Sequence, residues 1–259
     1  MSVYFGNSLV GTSGINGDVF YVSPDCTTIM LADGASGAGD DGKVMMAECC
    51  VKNVKEFPFA DSGLSPQKYL NKLIWKINNE LISISQDRKK YTFGTLVICI
   101  IFNNIATFAA AGDSPAFVIS KGSIERKAKT KKSYYNLVQM GLYTEDQLEE
   151  YVHKLPEYMW SMFDTFIPTI VPRYALEECH LNDGDIVVLC CDGVSDYLDK
   201  NDLLRFVDHK NLFKSVDTII STAKVKAIEE HNEIRYDDIT VVLYQHEHTM
   251  CGSGPVQDK

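Results

Sequence analysis

The chain has 259 residues, 45% of them hydrophobic, 23% charged and 10% aromatic, with a formal net charge of −10. That composition is typical of a soluble globular protein able to bury a sizeable core, and its acidity argues against a nucleic-acid-binding surface, where basic groups supply most of the affinity. The opening MSVYFGNSLVGTSG has neither a basic stretch nor a long apolar core, so no secretory signal is expected, and no apolar run approaches the ~20 residues that cross a bilayer.

In chain order, short β-type runs at Tyr4-Phe5, 19–22 and 28–32 are separated by Gly, Asn, Pro and Asp. After the glycine-rich loop GASGAGDDGK, a helix is predicted over 41–56, with Val44, Ala47, Val51 and Val54 on one face. A second is predicted over 66–84, with Leu70, Leu73, Ile74, Ile77 and Leu81 in register and Pro66 in its first turn. Strands at 95–102, 105–111 and 116–119, joined by Asn103-Asn104 and Lys121-Gly122 turns, read as an antiparallel meander.

Residues 126–173 are less regular and rich in tyrosine. Thr144 to Gln147 matches a capping box that opens a short helix. Strands resume at 173–179 and 186–191, helices at 200–207 and 216–230, and a last strand at 239–244. The order fits an α+β fold, a four-layer α-β-β-α sandwich of two packed, mainly antiparallel sheets flanked by helices. A single domain is expected over 1–245, with 126–173 as a flap or insertion and 246–259 as a flexible tail. The adjacent pairs Cys49-Cys50 and Cys190-Cys191, together with Cys99, lie in apolar settings. They read as buried free thiols of a cytoplasmic protein, and with no CxxC pair a zinc ribbon is not expected.

The chemistry concentrates where apolar runs end. The unbroken run from Ile186 to Cys191 suits a strand buried on both faces, and it stops on Asp192-Gly193. IMLADG stops on Asp33-Gly34, TFAAAGDS more loosely on Asp113, and Asp237-Asp238 opens ITVVLY; Asp18 stands in NGD. Singly, such acids are ordinary turn residues. Together, at the tips of buried strands, they point to a hard-cation site, because Mg²⁺ and Mn²⁺ prefer oxygen ligands. Two such ions about 3.5–4 Å apart can clamp a phosphoryl group.

Other patterns lack a needed part. GAGDDGKV misses the terminal Ser/Thr of a phosphate-cradling loop, GASGA and GDSPA miss the last glycine of a nucleophile elbow, and no cysteine has a phosphate-loop arginine. His246-Glu247-His248 with Cys251 reads as polar tail, and RKAKTKK (126–132) as a solvated loop able to dock an acidic phosphoprotein.

The segments IMLADGASGAGDDG, AAAGDSPAFVI, DIVVLCCDGVSDYL and YDDITVVLY, preceded by Asn16-Gly17-Asp18, resemble the ordered motif set of the metal-dependent protein serine/threonine phosphatases. This is the protein phosphatase 2C-like, or PPM, family, and the closest likeness is to its bacterial sporulation and stress-response branch. The resemblance implies hydrolysis of phosphoserine and phosphothreonine on a phosphoprotein substrate, by direct attack of a metal-bound hydroxide. It implies two Mg²⁺ or Mn²⁺ ions, with a third more weakly held. Asp33 would bridge the two ions and the Gly34 carbonyl would ligate one. Asp192 and Asp237 would hold the first ion, Asp18 would serve the second through water, and Asp113 the third. Asp33, Asp192 and Asp237 are thus the expected catalytic set. No arginine lies within Gly11 to Ile15 to grip the phosphate, Gly17 stands where many relatives have a glutamate, and Ala35 where animal members have a histidine. The competing reading is a weak or inactive regulatory module on the same fold. A monomer is expected, with no nucleic-acid or membrane partner.

Overall fold

The computed structural model describes residues 2–88, 92–128, 144, 147, 172–231 and 236–247. Among the described residues, ten strands form two five-stranded sheets. One has the order β1 (Val3–Leu9), β10 (Ile239–Gln245), β9 (Ile186–Cys190), β6 (Ala116–Ser120), β7 (Ser123–Lys127). The other runs β2 (Asp18–Val22), β3 (Thr28–Gly34), β4 (Gly94–Phe102), β5 (Ile105–Ala111), β8 (Ala175–His180). Every paired strand is antiparallel. Helices α1 (Gly39–Glu56), α2 (Phe59–Ser62) and α3 (Pro66–Arg88) accompany the second sheet. Helices α4 (Asp192–Ser195), α5 (Lys200–Phe206) and α6 (Leu212–His231) accompany the first. This is the expected α+β sandwich.

The central strands are apolar throughout because both of their faces are covered. In β3, Ile29 and Leu31 join the core shared with the other sheet, while Met30 and Ala32 join the core under α1 and α3. The predicted α3 face is the buried one: Leu70, Leu73, Ile77 and Leu81 are fully buried and Ile74 nearly so. In α1 the predicted face is rotated. The helix buries Lys43, Met46, Ala47, Cys50 and Val54, leaving Val44 and Val51 only partly covered. The displaced register follows from a lysine turned inward, which apolar spacing could not anticipate.

Several boundaries shift for local reasons. Cys191 is not strand but the N-cap of α4. His246 is not tail. It is 3% exposed, its Nε2 lies 3.0 Å from Asn104 Oδ1, and its backbone N–H donates to the Asp185 carbonyl. Lys127, expected in a solvated loop, ends β7 buried between Glu125 and Glu177. The capping box is made reciprocally, Thr144 N–H donating to Gln147 Oε1 and Gln147 N–H to Thr144 Oγ1. The rest of that predicted helix, most of the predicted flap, and His248 and Cys251 lie outside the described residues. The seven described cysteines are free, and no helix among the described residues is long and apolar enough to cross a membrane.

Candidate metal centre

Antiparallel register first brings two of the acids together. Asp18, the first residue of β2, lies directly opposite Asp33 near the end of β3, and Asp33 lies opposite Thr95 of β4. Asp192 opens α4 immediately after β9, Asp113 sits in the turn between β5 and β6, and Asp237 precedes β10. The two sheets thus deliver their acids to one region. Asp33 feels the charges of Asp18, Asp192 and Asp237, and Asp192 those of Asp113, Asp237 and Asp18.

Burial, reinforced by these like charges, pushes Asp33 and Asp192 well above the ordinary carboxylate range. Burial also raises Asp18, to about 6, although nearby Thr240, Asp33 and Cys191 favour its ionised form. Asp18 is 8% exposed, and neither of its carboxylate oxygens receives a hydrogen bond of ordinary geometry among the described residues. Buried carboxylates gathered in this way are costly unless a cation shares them. One oxygen each from Asp18 and Asp33 and the Cys191 sulfur lie within 4.8 Å of one another.

The sulfur is not free to act as a thiolate. Burial pushes the Cys191 thiol well up; its Sγ accepts the Thr240 N–H at 3.1 Å and donates to the Asp238 carbonyl at 3.4 Å. The remaining donors are hard oxygens, and the set fits Mg²⁺ or Mn²⁺. Asp33, Asp192 and Asp237 would hold such an ion, with Asp18 and the Gly34 carbonyl beside them. The thiol route to catalysis fails throughout the core, since burial raises Cys49 and Cys190 to about 12.

The two adjacent acids at the start of β10 divide their labour. Asp237 is exposed and its Oδ1 accepts the Asp238 N–H. Asp238 is 4% exposed and turns inward: its carboxylate accepts the N–H groups of Gly11 and Gly17, each at 2.7 Å, and pairs with Lys43 Nζ at 3.3 Å. The Lys43 ammonium also donates to Ser13 Oγ. Lys43 and Asp238 therefore lock α1 and β10 to the loop that carries Asp18. The lysine appeared in the sequence only as part of an incomplete phosphate loop; the signal for its real role is a cation two residues after a pair of first-turn acids.

Tight packing explains two glycines. A Cβ on Gly34 would lie 2.1 Å from the Lys43 carbonyl oxygen, and one on Gly17 would lie 2.7 Å from Lys43 Cδ. Asn16 shapes the same loop, its Oδ1 accepting the Asp18 N–H and its Nδ2 donating to Ser8 Oγ. Ser114 bonds Thr95 Oγ1 in the core, so it is no nucleophile.

No protein-family model and no curated protein matches the sequence. Solved structures do. A Streptococcus phosphatase, the "S. agalactiae serine/threonine phosphatase", aligns with a TM-score of 0.75 at 22% identity, over 95% of this chain and 100% of its own. The catalytic domain of the serine/threonine protein phosphatase PstP, in complex with two manganese ions, aligns at 0.73 and 19% identity, over 95% and 99%. PppA of Pseudomonas aeruginosa aligns at 0.74 and 18% identity, over 95% and 98%. The chain has the protein phosphatase 2C-like fold. At such identities the likeness carries the architecture, and the chemistry rests on the carboxylates described above.

Proposed function

We propose that this protein is an Mg²⁺- or Mn²⁺-dependent phosphatase of the protein phosphatase 2C-like family that hydrolyses phosphoserine and phosphothreonine in a phosphoprotein. The observation that carries the reading is the carboxylate cluster, with Asp18 and Asp33 paired across two strands and Asp192 and the exposed Asp237 close enough to raise Asp33. Similarity to serine/threonine phosphatases, one of them holding two manganese ions, supports it.

Bound divalent cations neutralise phosphoryl oxygens and acidify a water. The chain's own contribution is to fix the ligands. Asp33 is held between Asp18 and Thr95 by the strand ladder, and the Gly34 carbonyl is positioned by packing under α1. Asp192 is aimed by the turn from β9 into α4. Asp113 serves a more weakly held ion. A binding module would gain nothing from carboxylates so costly to bury. Free cysteines fit a reducing, cytoplasmic setting.

The test is hydrolysis of p-nitrophenyl phosphate and of a phosphothreonine peptide by chelator-treated protein, with and without Mn²⁺ or Mg²⁺. Metal-dependent turnover that falls by at least about 10³-fold in Asp33→Ala and Asp192→Ala is expected. Turnover that survives both substitutions refutes the site, and folded protein inert with every metal refutes the activity.

A further inference from the structure

The carboxylate centre has a soft donor in its wall. Cys191 Sγ and one oxygen each of Asp18 and Asp33 lie within 4.8 Å of one another, and among the described residues no other three His, Cys, Asp or Glu side chains gather so closely. The three come from both sheets. Asp18 and Asp33 face each other across β2 and β3, while Cys191 follows β9 as the N-cap of α4. Two further observations point to a ligand. Asp18 is 8% exposed, yet neither of its carboxylate oxygens receives a hydrogen bond of ordinary geometry among the described residues. Cys191 is fully buried and its Sγ accepts the Thr240 N–H at 3.1 Å, the kind of contact that orients and supports a metal-bound thiolate.

In a tetrahedral zinc site, bonds of about 2.0–2.3 Å set the ligand atoms about 3.5 Å apart. The three atoms, within 4.8 Å of one another, need to close by little more than about 1 Å to reach that spacing. Hard and soft ions therefore use the cluster differently. Mg²⁺ and Mn²⁺ take the oxygens and leave the thiol protonated, whereas Zn²⁺ competes for the sulfur. We propose that Asp18, Asp33 and Cys191 form a second, thiophilic cation site that takes Zn²⁺, and that Zn²⁺ held there switches off the Mg²⁺/Mn²⁺ centre. The Cys191 S–H bond breaks as the Zn–S bond forms, the proton leaves to solvent, and no electron changes hands. Sγ loses its contact with the Asp238 carbonyl and keeps the Thr240 N–H. Asp33 then no longer serves the catalytic ions, because zinc draws it toward Cys191. The zinc site stands on this geometry; its inhibitory effect rests on the phosphatase reading above.

Cobalt is the probe, since sulfur ligation gives Co²⁺ an intense charge-transfer band in the near ultraviolet that oxygen ligands alone do not. Reduced, chelator-treated wild type, Cys191→Ser, Asp18→Asn and the partly buried control Cys26→Ser are titrated with Co²⁺. The expected band saturates at one equivalent in wild type and C26S, is bleached by Zn²⁺, and is absent from C191S. In D18N the affinity falls by about tenfold or more. No band in wild type, a band retained in C191S, or wild-type affinity in D18N overturns the site. Zn²⁺ is then titrated against Mn²⁺-supported hydrolysis of p-nitrophenyl phosphate. C191S should need about tenfold more Zn²⁺ than wild type for the same fractional inhibition, and equal sensitivity overturns the switch. Wild type inert toward p-nitrophenyl phosphate overturns the phosphatase reading and the switch with it, while the cobalt band still decides the site.

Discussion

Asp18 shows how a single residue can be read twice. In the sequence it is an acid in an Asn-Gly-Asp turn; in the structure it is a buried carboxylate facing another across a strand pair. Its raised value, about 6 against an ordinary 3.8, fixes the sign of a pH effect. In chelator-treated protein the folded state keeps the Asp18 proton up to about pH 6, whereas the unfolded chain releases it near 3.8. The unfolded state therefore binds fewer protons in that window, and stability falls as pH rises through it. Asp33 and Asp192 are raised for the same reason and act in the same direction. Thermal melts between pH 4 and pH 7 should show a decline that Asp18→Asn makes shallower; an increase in stability over that range would contradict the assignment.

Among elements, the decisive tie is the buried ion pair between α1 and the start of β10. Lys43 and Asp238 are 2% and 4% exposed, so solvent screens them little. Breaking such a pair from one side leaves a buried charge and costs about 3–5 kcal/mol. Lys43→Met should therefore lower unfolding stability by about that amount in urea titration. Adding Asp238→Asn should cost less than the sum of the two single changes. Strict additivity would mean that the pair is not coupled. None of this was legible from residue types. Asp237 and Asp238 are adjacent and alike, and only the alternation of the strand decides which one turns inward. The helical phase of α1 was misjudged because Lys43 turns inward, which leaves Val44 and Val51 only partly covered. By contrast α3 was legible because its apolar periodicity answers to the core, and β4 and β5 because both of their faces are buried.

At the scale of the whole molecule, sequence order and spatial order diverge. The first and last strands pair along their whole lengths, Val3 with Gln245 through to Leu9 with Ile239, and acids 219 positions apart in the chain, Asp18 and Asp237, reach one centre. The motif tips Asp33-Gly34 and Asp192-Gly193 announced that centre because each is local, a buried strand stopping on an acid. Their convergence needed the two sheets to stack. The claim that they form one cation site is tested most directly by calorimetric titration of Mn²⁺ into chelator-treated wild type, Asp33→Asn and the exposed turn variant Asp25→Asn. Binding in wild type and Asp25→Asn that disappears or weakens by at least about a hundredfold in folded Asp33→Asn is the predicted result. Equal binding by all three proteins, or none by any, would contradict it.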